Sequence, residues 1–168
     1  MKTSNLLIEK LKEFEGLRLR AYQCAAGVWT IGYGHTHNVR RGDRYTRYYA
    51  EEMLREDVRH AEHAVLDLGV CRTQGELDAL TSFVFNLGIG KLKGSTLLQL
   101  LRKRPEGDEW LQEYGRYWRY DVHRHFMAWC YAGGRRLPGL FRRRQWEYER
   151  FFSEDTPLLC DVEESDHG

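Results

Sequence analysis

Long apolar runs are missing where an export or anchoring segment would carry one. The stretch MKTSNLLIEKLKEFEG alternates charged and apolar residues every three or four positions, which reads as neither a signal peptide nor a membrane anchor. Synthesis is therefore expected to end in the cytoplasm, without stable membrane insertion. Cysteine is sparse too: Cys24, Cys71, Cys130 and Cys160 lie far apart with no C-x-x-C. That spacing disfavours a zinc knuckle or a dense disulfide framework, so reduced thiols are expected and neither metal nor cofactor is called for. There is no low-complexity run and no internal repeat. A composition of 42% hydrophobic and 13% aromatic residues is that of an ordered globular protein. The 168 residues suit one compact domain or two small lobes that bury a core without staples.

Positive charge is absent from the C-terminal end. Residues 153–168 hold six acids and no Lys or Arg, leaving residues 1–152 with all 26 basic side chains, 19 acids and a balance of +7. A cationic body suits an anionic polymer such as nucleic acid, a membrane surface or cell-wall glycan. A solvated surface followed by a disordered acidic tail fits the same numbers. The aromatic and basic EYGRYWRYDVHR hints at nucleic acid, but no helix-turn-helix, zinc or RNA-recognition motif accompanies it, and no nucleic-acid partner is expected.

Local patterning supplies the elements. Leu7, Leu11 and Phe14 share a face at helical spacing, with Ser4 or Asn5 as N-cap and Gly16 as C-cap, so Glu15 ends a helix. Tyr22, Val28, Trp29, Thr30, Ile31 and Tyr33, broken by Gly27, Gly32 and Gly34, read as a twisted hairpin or a three-stranded sheet. Residues 46–68 read as a long amphipathic helix linking two lobes, with Thr46 as N-cap. Helices are expected at 74–88, 95–103 and about 139–152, with GIGKLKG separating the first two and an aromatic-rich stretch at 109–131. The pattern is α+β: mostly helical, with one small sheet near the start.

Cleaving a glycosidic bond needs an acid for the leaving oxygen and, on the other face of the sugar, a group that supplies or becomes the nucleophile. A carboxyl at a helix C-terminus meets the negative end of the dipole, which disfavours its charged form, the direction a general acid requires. Glu15 is in that position. Cys24 follows nine residues on, Thr30 six further, then the glycine-spaced TIGYGHT.

These residues, Glu15-Gly16, Tyr22, Cys24, Gly27, Thr30-Ile31-Gly32 and Gly34-His35, resemble the catalytic signature of the phage-type lysozymes, or phage endolysins, of glycoside hydrolase family 24. Cys24 stands where that family usually has aspartate, although some members carry cysteine. The resemblance continues through SFVFNLGIGKLKGSTLL at 82–98 and AWCYAGGRRLPGLFRRRQWEYERFF at 128–152, covering roughly residues 5 to 152. Segment 105–128 looks about ten residues longer than the family's usual connection.

The resemblance implies a single lysozyme-like domain over 1–152, with an N-lobe to about 45, a linking helix at 46–68, a C-lobe at 69–152 and a cleft between the lobes. It implies hydrolysis of the bond between N-acetylmuramic acid and N-acetylglucosamine in peptidoglycan, by a monomer held in the host cytoplasm until a holin gives it access to the wall. Glu15 would be the acid and Thr30 would help hold the attacking water. Asn86, in the turn after a helix, would offer its amide to substrate or simply cap the loop. Tyr33, Gly34, Ser95 and Thr96 are further substrate-binding candidates. His35 would pair with an acid near the interlobe helix, and one of Arg142, Arg143 and Arg144, here taken as Arg143, would orient Glu15. Trp110, Trp118 and Tyr120 would add aromatic surface beside the cleft. Three roles stay open for Cys24: orienting water with Thr30, attacking as a thiolate, or marking a catalytically impaired wall-binding relative. A Cys–His peptidase built on Cys24 and His35 is the alternative enzyme class.

Overall fold

The computed structural model describes residues 1–107 and 113–154. Helix α1 (Asn5–Glu15) starts where the Ser4 hydroxyl accepts from the Leu7 N–H and stops at Gly16, whose φ of 67° suits glycine. Its apolar stripe buries Leu7, Ile8 and Leu11. Strands β1 (Arg18–Gln23) and β2 (Trp29–Gly32) follow as an antiparallel hairpin pairing Tyr22 with Thr30 and Gln23 with Trp29, with an irregular register between Arg18 and Tyr22. The third strand considered from sequence is reduced to isolated bridges, Arg20 with Arg44 and Ile31 with His35. Glycine positions in this stretch bend the chain instead of extending the ladder.

Helix α2 (Arg47–Leu66) is capped by the Thr46 hydroxyl, which accepts from the Tyr49 N–H at 3.1 Å. It divides its apolar stripe between two cores. Ala50, Leu54 and Val58 join Leu7, Ile8, Leu11 and Tyr33 in a small cluster. One and two turns on, Ala61 and Val65 enter the large cluster built on Leu77, Leu80, Phe83, Leu97, Leu101, Trp118, Phe126 and Phe151. Each such large side chain is worth about 1.5–3 kcal/mol when fully buried. The half-buried Phe85 packs against both clusters.

The remaining helices enclose the large cluster: α3 (Gln74–Leu87), α4 (Ile89–Lys93), α5 (Thr96–Arg102), α6 (Glu113–Met127) and α7 (Pro138–Phe151), with a short hairpin of β3 (Tyr131–Ala132) and β4 (Arg135–Arg136) before α7. GIGKLKG is thus a helical turn, not only a separator. Helix α3 is the axis of this lobe, buried along most of its length. Its start approaches the end of α7 so closely that a Cβ at Gly75 would lie 2.2 Å from the Arg150 carbonyl oxygen.

Segment 105–128 contributes α6, but not as expected. Trp118 is a core residue, where the large ring buries its area and its indole N–H stays satisfied by donating to the Leu100 carbonyl at 2.9 Å. Tyr120 is exposed, and Trp110 lies outside the described residues. Most of the acidic tail, from 155 on, also lies outside them. Its first residues are docked: Glu154 accepts from the Gly75 N–H at 2.7 Å and the Ser153 hydroxyl donates to the Arg150 carbonyl at 2.8 Å.

Candidate active site

The C-terminal turn of α1 delivers Glu15 to the junction of α1, α3 and α7. There Arg143 on α7 donates from Nη1 to Glu15 Oε1 at 2.6 Å, with the guanidinium buried and the carboxylate half-exposed. Gly34 closes the other side. A Cβ at that position would stand 3.0 Å from Glu15 Oε2, and φ is +83°. Gly34 therefore brings bare backbone against the carboxylate, a job that needs glycine on both steric and conformational grounds. Glu15 thus meets the carbonyl end of its own helix and a guanidinium at once.

Arg143 is itself held. Its Nη2 donates to the Ser82 carbonyl at 3.3 Å, and its Nε lies 3.5 Å from Glu147. The Glu147 carboxylate has no exposed surface, accepts from the Ser82 hydroxyl at 2.7 Å, and lies 2.8 Å from Nε of Arg144, which is equally buried. Arg144 in turn donates to Asn86 Oδ1 at 2.8 Å. Burial pushes the Glu147 carboxyl up and the Arg144 guanidinium down, and their opposite charges counter both shifts. One buried carboxylate thereby steadies two consecutive arginines, one reaching Glu15 and the other Asn86. The spacing of Glu147, three residues after Arg144 and four after Arg143, was the sequence signal for this cluster.

Cys24 and Thr30 form a second group on the hairpin. Cys24 opens the turn before β2, its N–H donating to the Val28 carbonyl at 3.0 Å and its carbonyl accepting from Gly27 at 2.8 Å. Backbone amides of the turn, Val28 foremost and then Ala26, together with the nearby Thr30 hydroxyl, hold the thiol below its ordinary range. Thr30 is buried, and its hydroxyl also reaches the Val28 carbonyl at 3.0 Å. That hydroxyl carries one proton, so it serves the carbonyl or the sulfur, not both.

Other candidates part ways. His35 is buried, with Nδ1 2.7 Å from Asp57 Oδ2 on α2, the pairing expected of it. Asn86 lies in the last turn of α3, not after it, and lines the same cavity as Glu15. Tyr33 is corrected from substrate contact to core, because its ring fills the small cluster under α2. Ser95 is corrected to a helix cap: its hydroxyl is buried, spends its one proton on the Leu92 carbonyl at 2.7 Å and accepts from the Leu98 N–H at 3.1 Å, so it has no donor left for sugar. Thr96 stands exposed at the first position of α5.

Two cavities flank these groups. One of about 550 Å³ is lined by Lys10, Glu15, Asn86, Leu137, Arg142 and Trp146, among others. The other, about 320 Å³, opens between Gly34, Thr36 and His37 on one side and Val84, Phe85 and Ile89 on the other. A carboxylate at the end of a helix, fixed by an arginine beside an open groove, in a fold whose small sheet is joined to a helical lobe by one long helix, defines a lysozyme-like α+β protein.

The comparisons specify which kind. Residues 12–147 match the phage lysozyme family model, and the chain belongs to that family. It is 43% identical over 149 residues to the endolysin of Acyrthosiphon pisum secondary endosymbiont phage 1, covering 85% of this chain and 92% of that protein. It is 35% identical to the endolysin of Bacillus phage B103 over 93% of this chain but only 56% of that longer protein. Among solved structures it resembles the muramidase domain of SpmX from Asticaccaulis excentricus, with a TM-score of 0.75 and 35% identity over 93% of this chain and 99% of that one.

Proposed function

We propose that this protein is a phage-type endolysin that hydrolyses the bond between N-acetylmuramic acid and N-acetylglucosamine in peptidoglycan. Family membership and the named endolysin and muramidase relatives support the peptidoglycan-hydrolysing activity. The observation that carries the chemistry is the fixing of Glu15 by Arg143 at 2.6 Å beside the Gly34 backbone. From there the Glu15 carboxyl donates its proton to the leaving glycosidic oxygen, and Arg143 stabilises the carboxylate as it forms. On the hairpin, Thr30 and Cys24 orient the attacking water. Asn86, its Oδ1 engaged by Arg144, keeps its NH₂ for a carbonyl or hydroxyl of the sugar.

A second reading of Cys24 has specific support: its place in a turn among backbone amides lowers the thiol and favours a thiolate, the form that attacks an anomeric carbon. In either case the protein acts as a monomeric glycoside hydrolase on a single lysozyme-like domain, waiting in the host cytoplasm until a holin opens the way to the wall. Among the described residues no helix is long and apolar enough to cross a membrane. The test is release of new reducing ends and muropeptides from purified sacculi, read by mass spectrometry. Disaccharide-peptides with N-acetylmuramic acid at the reducing end are expected. Free peptides without glycan cleavage would overturn the reading in favour of a Cys–His peptidase, and unchanged sacculi would indicate a wall binder.

A further inference from the structure

The N-lobe carries charge that folding alone does not explain. Between residues 16 and 50 there are six arginines, Arg18, Arg20, Arg40, Arg41, Arg44 and Arg47, against one acid, Asp43. All six are exposed, and among the described residues none has a carboxylate within 4.0 Å. Asp43 is already engaged, its Oδ2 accepting from the Arg40 backbone N–H at 2.8 Å.

Two placements work against stability. Arg20 and Arg44 stand directly opposite each other in an antiparallel bridge, where like charges repel. Arg47 opens α2, whose first turn holds no acid, so its cation meets the positive end of the helix dipole. Arg18 is turned onto the Tyr22 ring at 4.5 Å, a stacked guanidinium whose edge still presents donors. Local rules broken together within one short stretch, part of it bridged through Arg20 and Arg44, mark a place where a ligand supplies what the fold withholds. The missing component is an array of anions.

We infer that this arginine face docks the carboxylates that stem peptides display along a peptidoglycan strand, and so holds the wall against the lobe that carries Cys24 and Thr30. The inference rests on the muramidase reading and names the chemistry of its substrate: strands with free peptide carboxylates. Wall carboxylates are favoured over other polyanions by continuity. Arg18 and Arg20 lie on the same strand that leads into Cys24, so an anion bound there is already tethered to the glycan entering the groove. The guanidinium fork pairs with a planar carboxylate through two parallel bonds.

The experiment uses the full chain carrying Glu15→Gln, so that sacculi are bound without being cut. Pelleting with purified sacculi at low salt is compared for this protein and for the same protein with Arg20→Gln and Arg44→Gln added. The pair of substitutions is expected to weaken binding about tenfold and to flatten its salt dependence. Sacculi whose carboxylates have been amidated should bind both proteins equally and weakly. The melting temperature of the arginine variant should hold or rise, since a repulsive pair is removed. Undiminished binding by the variant, or undiminished binding to amidated sacculi, overturns the inference. Tighter binding to phosphatidylglycerol vesicles or to polyuridylate than to sacculi overturns it as well, and reassigns the face. Should the protein with Glu15 intact release no reducing ends while the arginine dependence persists, the enzymatic reading falls and the docking surface stands.

Discussion

At the scale of single residues the decisive one is Cys24, a thiol in a turn whose backbone amides hold it below its ordinary range. If it orients water with Thr30, Cys24→Ser retains measurable activity, and Cys24→Asp equals or exceeds the parent by restoring the family's usual carboxylate. If it attacks as a thiolate, Cys24→Ser loses nearly all turnover, and an alkylating agent inactivates with a stoichiometry of one and with protection by substrate. The pH profile separates the two. A required thiolate makes the rate climb as pH rises through a limb below the ordinary thiol value of about 8.5, and Cys24→Asp moves that limb into the acid range. Linkage has the matching sign. A depressed thiol favours the folded state above its unfolded value, and the gain is lost as pH falls through the folded one. Glu15→Gln, which keeps the shape but has no proton to donate, should melt like the parent and retain less than about a hundredth of its activity. An unchanged melt with activity within a few-fold of the parent would remove Glu15 from the role of acid.

Elements bring these residues together, and what could be read from sequence divides along that line. Features set by local periodicity were legible: the end of α1 at Glu15, the capped start of α2, and the signature on the hairpin. Misread residues were those whose role depends on what a distant element presents to them. Tyr33 and Ser95 look like ligands in a motif but are consumed by the core and a cap, and Gly34 contributes by having no side chain in the way of Glu15. The α3–α7 contact is the main case, since its polar cluster joins Ser82 to Glu147 across 65 positions of sequence. Glu147→Gln keeps the shape but leaves the buried Arg144 guanidinium without a carboxylate, while Arg143 keeps Glu15, and should cost roughly 3–5 kcal/mol in urea unfolding. Turnover below the melt should also fall, because Arg143 loses the group that braces it. Gly75→Ala tests the same contact sterically. With 2.2 Å to a backbone carbonyl the helices must separate, and a loss of about 1–3 kcal/mol is expected with little change in the activity of the folded fraction.

At the scale of the whole molecule, charge and chain end act together, and two truncations pull their effects apart. Glu154 places its carboxylate on the Gly75 N–H at the start of α3, where the helix dipole favours an anion, whereas the acids beyond it are carried on residues 155–168. Ending the chain after Phe152 removes that cap and should lower stability by about 1 kcal/mol, a few degrees in the melt of a domain this size. Ending it after Glu154 should leave the melt unchanged while removing five acids, taking the formal net charge from +1 to +6. The longer truncated form should then bind sacculi more tightly than the full chain at low salt. The difference should fade as the screening length contracts from about 10 Å at 0.1 M to about 3 Å at 1 M. If both truncations lower the melt equally, residues past 154 are packed on the body. If binding stays equal at every salt concentration, those acids do not act on the cationic face, and the arginines of the N-lobe meet the wall unopposed by the tail.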